Sequence, residues 1–271
     1  TTKVLFSLSD DKQIETVLMS YHRRHTVCIS TQAGCAIGCH FCATGQMGFE
    51  RNLTVGEIVG QALWASRLLR ADGLTLTNIV LMGMGEPLHN YTNSLAALDR
   101  MGDSNGMAMG ARRITLSTAG LTPAIQRFAR AGRRERLAVS LHAATDDLRS
   151  QLMPINRRHP LAPLLSTCRE YIEITGRRLS FEWALMDGVN DGMEQAYALC
   201  DLLAGMLCHV NIIPLNPTAD YSAVPTSRSA SARFKAQLDA AGIPATVRVR
   251  RGLDIRAGCG QLRSVPGSPL K

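Results

Sequence analysis

A chain of 271 residues, 45% hydrophobic and with a mean hydropathy near zero, is long enough to bury a large core and predicts one catalytic domain with small appendages. No apolar run reaches the roughly 18 residues that cross a bilayer, which excludes a helical membrane protein; eight cysteines in so long a chain point to metal or redox chemistry rather than a disulfide scaffold. The formal charge of +8, carried mostly by arginine, suits a polyanionic partner, against the plainer reading of a solvated basic surface.

The first residues, "TTKVLFSLSDDKQ", begin with Thr and carry no basic-then-apolar signal, so a cytoplasmic location is expected. "KVLFSL" and "QIETVLM" flank the turn-prone "SDDK" and predict an N-terminal β-hairpin. Short apolar runs then alternate with amphipathic ones. The predicted strands are "TVCIST", "NIVLMGM", "RITLST", "LAVSLHA", "LSFEWALM", "HVNIIPL" and "ATVRV". The predicted helices between them are "VGEIVGQALWASRLLRA", "YTNSLAALDRMG", "TPAIQRFARAG", "PLAPLLSTCREYIEITG", "MEQAYALCDLLAGM" and "SRSASARFKAQLDAAG". This alternation implies parallel strands covered by helices, in an open doubly wound sheet or a β/α barrel. Several strands end in small or polar residues, as in "GMGEP", "LSTAG", "SLHAA" and "PLNPT", and such endings converge better in a barrel. The tail "SVPGSPLK" reads as disordered.

Between the first strand and the first long helix lies "GCAIGCHFCATGQMGF", with Cys35, Cys39 and Cys42 in a C-x3-C-x2-C spacing. Thiolates this close wrap one soft metal centre, and three of them leave a coordination position open. A Cys3His zinc site using His40 is the competing reading, weakened by the adjacency of His40 to Cys39 and by the lack of a second cysteine pair downstream.

C-x3-C-x2-C after the first barrel strand, with Phe41 before the last cysteine, resembles the radical S-adenosylmethionine (SAM) superfamily. The resemblance implies that Cys35, Cys39 and Cys42 hold three irons of a 4Fe-4S cluster while SAM chelates the fourth. An electron from the cluster then cleaves SAM to a 5'-deoxyadenosyl radical. It also implies an α/β fold, a partial (β/α)6 TIM-type barrel over residues 26–250, with the hairpin at 1–25 and a short C-terminal extension at 251–271. "GMGEP" resembles the segment that binds the amino group of SAM; its glycines permit close backbone approach and Glu86 can hold an ammonium.

The stretches "CISTQAGCAIGCHFCATGQMGFERNLTVGEIVGQ", "NIVLMGMGEPLHNY", "RRITLSTAGLTPAI", "AVSLHAATDDLRSQLMPINRR", "NIIPLNP" and "GLDIRAGCGQL" are similar to the RlmN family of dual-specificity RNA methyltransferases. That family methylates carbon-2 of an adenine in 23S rRNA and in certain tRNAs. The sister Cfr family, which methylates carbon-8, is the alternative; "TGQMGFERNL" reads closer to the carbon-2 family. The resemblance implies that Cys259 carries a methyl group from one SAM, that a second SAM supplies the radical converting it to a methylene radical, and that Cys28 resolves the protein–RNA adduct by forming a disulfide. Glu15 aligns with the proton acceptor. For SAM the resemblance carries over Gly85, Glu86, Ser117, Ser140, Leu141, His142 and Asn216. Cys168, Cys200 and Cys208, in apolar settings, read as structural.

The implied partners are 23S rRNA, tRNA and an electron donor such as flavodoxin, with no membrane and a monomeric enzyme. The family's helical N-terminal domain, which helps to hold RNA, is not in this sequence. In a different class, the rival reading is a non-catalytic basic RNA-binding module with structural zinc.

Overall fold

The first two strands, β1 (Thr2–Ser7) and β2 (Gln13–Tyr21), form the expected antiparallel hairpin, with Leu5 opposite Glu15. The fold is taken from a computed structural model that describes residues 1–250 and 252–263; the tail "SVPGSPLK" expected to be disordered lies outside them. From β2 the chain turns through His22 and Arg23 into β3 (Arg24–Cys28), again antiparallel, so the hairpin is continuous with the main sheet. A two-stranded ribbon follows, β4 (Gln32–Gly34) against β5 (Phe49–Asn52), with the cysteine loop and the one-turn helix α1 (Ala43–Gln46) between its arms.

The alternation then runs as expected. Helix α2 (Val55–Ala71) leads to β6 (Asn78–Leu81), α3 (Tyr91–Gly102) to β7 (Ile114–Thr118), and α4 (Thr122–Arg130) to β8 (Arg136–Ser140). Next come α5 (Asp146–Leu152), α6 (Leu161–Thr175), β9 (Leu179–Leu185), α7 (Met193–Leu203), β10 (Cys208–Pro214), α8 (Arg228–Ala240) and β11 (Ala245–Val247). The sheet order is β1-β2-β3-β6-β7-β8-β9-β10-β11, parallel from β3 onward. Six strand–helix units lie along it and β1 and β11 stay apart as edges, so the fold is the expected partial (β/α)6 barrel.

Local chemistry explains the elements. Thr54 caps α2 by accepting from the Glu57 N–H, while the Glu57 carboxylate accepts from the Thr54 N–H, a reciprocal box that satisfies two orphan donors. Ile58, Ala62, Ala65 and Leu69 then fall on one buried stripe facing the sheet, at helical spacing. Helix α6 ends where Gly176 takes φ +62°, a conformation only glycine adopts without cost. Strands β8 and β9 are buried almost throughout, as parallel strands covered by helices must be.

Several predicted strands overrun the observed ones. "NIVLMGM" leaves the ladder after Leu81, because Gly83 N–H turns to the Ile29 carbonyl (3.0 Å) and Thr31 N–H to the Met84 carbonyl (2.8 Å). A second apolar cluster sits at these strand ends: Ile37 and Phe41 of the cysteine loop pack with Ala119, Ala143, Leu152 and Leu215. No helix among the described residues is long and apolar enough to cross a membrane.

Candidate active site at the strand ends

The cysteine loop is shaped by close backbone approach. Gly34, at φ +71°, lies where a Cβ would fall 2.0 Å from the Gly48 carbonyl oxygen, and a Cβ on Gly45 would fall 2.7 Å from the Cys39 carbonyl oxygen. Only glycine permits either contact. Cys35 N–H donates to Gly48 O (2.7 Å), Cys42 N–H to Cys39 O (3.2 Å) and His40 N–H to Leu152 O (3.0 Å). These bonds bring Cys35, Cys39 and Cys42 within electrostatic reach of one another. Burial pushes the Cys35 thiol up to about 12 and Cys39 well above the usual thiol range, and the neighbouring thiols push in the same direction.

The donor set fits an iron–sulfur cluster: three half-buried soft ligands in an apolar pocket, with His40 exposed outside it. A positive cluster core relieves the mutual repulsion of the thiolates. Among the described residues, no three Cys, His, Asp or Glu side chains are already set around a common point as metal ligands.

Around this loop stand the ends of the neighbouring strands. After β6, Gly85 takes φ +99°, where a Cβ would meet the Gln32 side chain at 2.5 Å. The Glu86 carboxylate is buried and accepts from the N–H groups of Leu88 (2.9 Å) and Ala119 (2.6 Å), tying the β6 loop to the end of β7. Burial raises it to about 7, and the two N–H bonds act against that rise. Two accepted bonds leave its oxygens with lone pairs for an ammonium. Ser117 is half-buried on β7 beside Ala138 of β8.

The Ser140–Leu141–His142 stretch ends β8. His142 adopts φ +62° and its Nδ1 accepts from Ala184 N–H (2.8 Å), which leaves the proton on Nε2. Its ring meets Phe41 edge-on at 4.9 Å. Burial, reinforced by the Arg149 cation, pushes its pKa down to about 3, so it is neutral. Arg149 is fully buried and donates to the carbonyls of Ala119, Ser140, Leu141 and His159 and to Asn156 Oδ1. It fixes the ends of β7 and β8 together and places a positive charge near Cys39.

The far end of the chain closes over the loop. Asn216, after β10, donates Nδ2 to the Cys259 carbonyl (3.0 Å), while its buried Oδ1 has no hydrogen-bond partner among the described residues. Ala43 N–H donates to Gly260 O (2.7 Å) and Thr44 Oγ1 to Leu262 O (2.6 Å). Arg263 N–H donates to Glu15 Oε2 (2.9 Å), and Lys3 Nζ pairs with Glu15 Oε1 (2.7 Å). Cys259 has an exposed surface, yet Cys28, Cys42 and Glu182 surround its thiol closely enough for their charges to act on it. Burial pushes both Cys28 and Cys259 up to about 12.

The candidate site residues thus gather at the strand ends, in the cysteine loop over them, in the C-terminal segment that closes on that loop, and on the hairpin beside them. Cys168, Cys200 and Cys208 are buried away from this region, in α6, α7 and β10. Sequence reasoning missed Gln32, Arg149, Glu182 and Gln261. Arg149, in "DDLRSQL", carries no pattern separating it from a surface arginine; Gln261 stands within the quoted "AGCGQL" and was a findable candidate.

The radical SAM superfamily profile matches residues 29–200. The chain is 56% identical over 264 residues to dual-specificity RNA methyltransferase RlmN 1 of Myxococcus xanthus, covering 97% of this chain and 74% of that one. It is 52% identical to a probable RlmN of Moorella thermoacetica, covering 97% and 76%. A crystal structure of a radical SAM methyltransferase from Sphaerobacter thermophilus superposes with a TM-score of 0.95 at 55% identity, over 96% of this chain and 76% of that one. The hydrogenase maturase HydG of Carboxydothermus hydrogenoformans shares the fold alone, with a TM-score of 0.60 at 15% identity over 85% and 55% of the two chains. The chain belongs to the radical SAM superfamily, whose members use a 4Fe-4S cluster and SAM, and within it to the RlmN dual-specificity RNA methyltransferases.

Proposed function

We propose that this protein methylates carbon-2 of an adenine in 23S rRNA, with tRNA as a second substrate, through a methyl group carried on Cys259. The observation that carries the reading is the approach of the Cys259 and Cys28 thiols beside Cys42, under a C-terminal segment tethered to Glu15.

Carbon-2 lies between two ring nitrogens and is too electron-poor to attack a sulfonium methyl as a nucleophile. When bound, the cluster and SAM supply one-electron chemistry that turns a methyl into a reactive carbon. The chain's own groups do the rest. Cys35, Cys39 and Cys42 hold the cluster; Gly85, Glu86, Ser117, Ser140, Leu141, His142 and Asn216 bind and orient SAM, with the unpartnered Asn216 Oδ1 as a ready acceptor.

Cys259 takes a methyl group as a thioether and is then joined through that carbon to the base. Its thiol is protonated at neutral pH because burial disfavours the charge, and a neighbouring sulfonium cation favours the thiolate. Glu15 accepts the proton lost from carbon-2. One electron leaves the adduct with that proton, to the one-electron centre that the cysteine loop would hold. The Cys28 thiolate then attacks the Cys259 sulfur, the S–S bond forms, and the C–S bond breaks with its electron pair going to the base-linked carbon, which takes a proton to become the methyl group as methylated RNA leaves. An external reductant, such as a thiol, returns both cysteines to thiols, and flavodoxin or a similar donor supplies the electron.

The test incubates cluster-loaded protein with SAM, reductant and a 23S rRNA fragment, and analyses digested RNA by mass spectrometry. 2-Methyladenosine is expected; 8-methyladenosine alone would place the chain's activity with the carbon-8 family. Stoichiometric zinc without iron or sulfide after anaerobic purification would support the structural-zinc reading instead.

A further inference from the structure

The opposite end of the barrel carries a second basic feature. Arg23 and Arg24 lie in the turn into β3, Arg112 and Arg113 end the short turn Ala111–Arg113 before β7, and Arg136 opens β8. With Thr77 and Asn78 at the start of β6, these five arginines line a cleft of ≈ 380 Å³. Strands β3, β6, β7 and β8 are neighbours in the sheet, so sequence-distant arginine pairs become one row about 14 Å wide, three inter-strand spacings.

All five side chains are exposed, and among the described residues none is within ion-pair distance of a carboxylate. Among the described residues, the one side-chain bond they make is from Arg24 Nε to Thr26 Oγ1, 3.2 Å. Four arginines elsewhere, Arg51, Arg130, Arg133 and Arg263, do have carboxylate partners. Arg133 pairs with both Asp99 and Glu135, so the acid next to Arg136 in sequence is already engaged. Five like charges converging on one cleft without counterions repel one another, an arrangement that a bound polyanion relieves.

We propose that this cleft binds the phosphodiester backbone of RNA at a point remote from the reacting base. From the preceding section the proposal takes only that the partner is RNA. Six residues separate Arg136 from His142 along β8 and its continuation, about 20 Å in extended chain, so neither SAM nor the target nucleotide reaches both ends. A polymer with many phosphates does. The guanidinium fork matches phosphate oxygens in pairs, and a row spanning four strands meets more than one phosphate. The lining residues include no aromatic or apolar side chain to enclose a base or a small nucleotide, so the surface is one for positioning rather than base recognition.

The test compares the full cluster-loaded chain with the triple variant Arg23→Ala, Arg112→Ala, Arg113→Ala. Affinity for a fluorescein-labelled 23S rRNA fragment is measured by anisotropy across a potassium chloride series. The variant is expected to bind at least 10-fold more weakly at low salt. Its slope of log K against log salt should be shallower by about two to three, since each of the three lost phosphate contacts removes roughly 0.7–0.9. SAM binding and RNA-independent SAM cleavage stay unchanged, and the melting temperature is equal or higher because repulsion is relieved. Equal affinity and slope in the two proteins overturn the proposal. So does loss of tripolyphosphate binding with RNA binding intact, which would assign the cleft to a small phosphate ligand. If wild-type protein cleaves SAM but binds no RNA, the RNA reading of the preceding section fails as well.

Discussion

The backbone N–H of Arg263 donates to the carboxylate of Glu15 at 2.9 Å, bridging 248 residues of sequence. The partners belong to the N-terminal hairpin and to the segment that carries Cys259, so the carboxylate proposed as proton acceptor also holds that segment. The proposed proton transfer separates from tethering by substitution. Glu15→Gln keeps an acceptor for Arg263 N–H but is a far weaker base; methylation is expected to fall by about 10²–10⁴ with little change in melting temperature. Glu15→Ala also loses the tether, and hydrogen exchange over residues 252–263 should rise in that variant alone. Near-normal methylation by Glu15→Gln would leave Glu15 a tether only.

Cys28 and Cys259 are expected to fail in different ways. Cys259→Ala has no methyl carrier and releases no methylated RNA. Cys28→Ala carries the reaction to the joined protein and base and stops there, so denaturing gels with labelled RNA should show a slow-migrating adduct. Free methylated RNA from Cys259→Ala at the normal rate would sink the thiol-relay mechanism.

Glu86 predicts two opposite pH dependences. Its folded pKa, about 7, lies above the ordinary glutamate value of 4.5, so the folded state binds the proton more tightly. Its contribution to stability is therefore fully present below about 4.5 and is lost as pH rises through about 7. Relative to Glu86→Gln, cofactor-free wild type should melt higher at pH 6 than at pH 8. SAM binding needs the ionised carboxylate and should weaken by about tenfold per unit as pH falls below 7. Calorimetry on both proteins checks this; the variant should bind weakly with a flat profile, and a flat wild-type profile would remove Glu86 from the ammonium site.

Gly45 lies in a helical turn, where alanine is ordinarily favourable. Here the added Cβ would fall 2.7 Å from the Cys39 carbonyl oxygen and 2.8 Å from its nitrogen, both backbone atoms that cannot turn away. Gly45→Ala should destabilise by about 1–3 kcal/mol and lower iron bound per chain after reconstitution. Wild-type iron content in a normally folded variant would show that the loop tolerates the shift.

The barrel was legible because its signal is physical and repeated. Helices α2 and α3 begin and end where the periodic stripes of "VGEIVGQALWASRLLRA" and "YTNSLAALDRMG" do, and the strands are short apolar runs closed by small residues. The ribbon β4–β5 escaped notice because "QAG" and "FERN" are too short and polar to show alternation; their pairing depends on the Gly34–Gly48 approach, a tertiary contact. At the site, the cysteines could be found from spacing and motif. The bond of His142 Nδ1 to the Ala184 N–H and the burial of Arg149 could not, since both arise from loops that meet only once the strands are aligned.

The bonds from Ala43 to Gly260 and from Thr44 to Leu262 make the cysteine loop and the segment that carries Cys259 thermodynamic partners. Whatever orders one must order the other by the same free energy, since coupling between two sites is reciprocal. On the proposed function, a metal centre that steadies the cysteine loop therefore also steadies the segment carrying Cys259, by the same free energy.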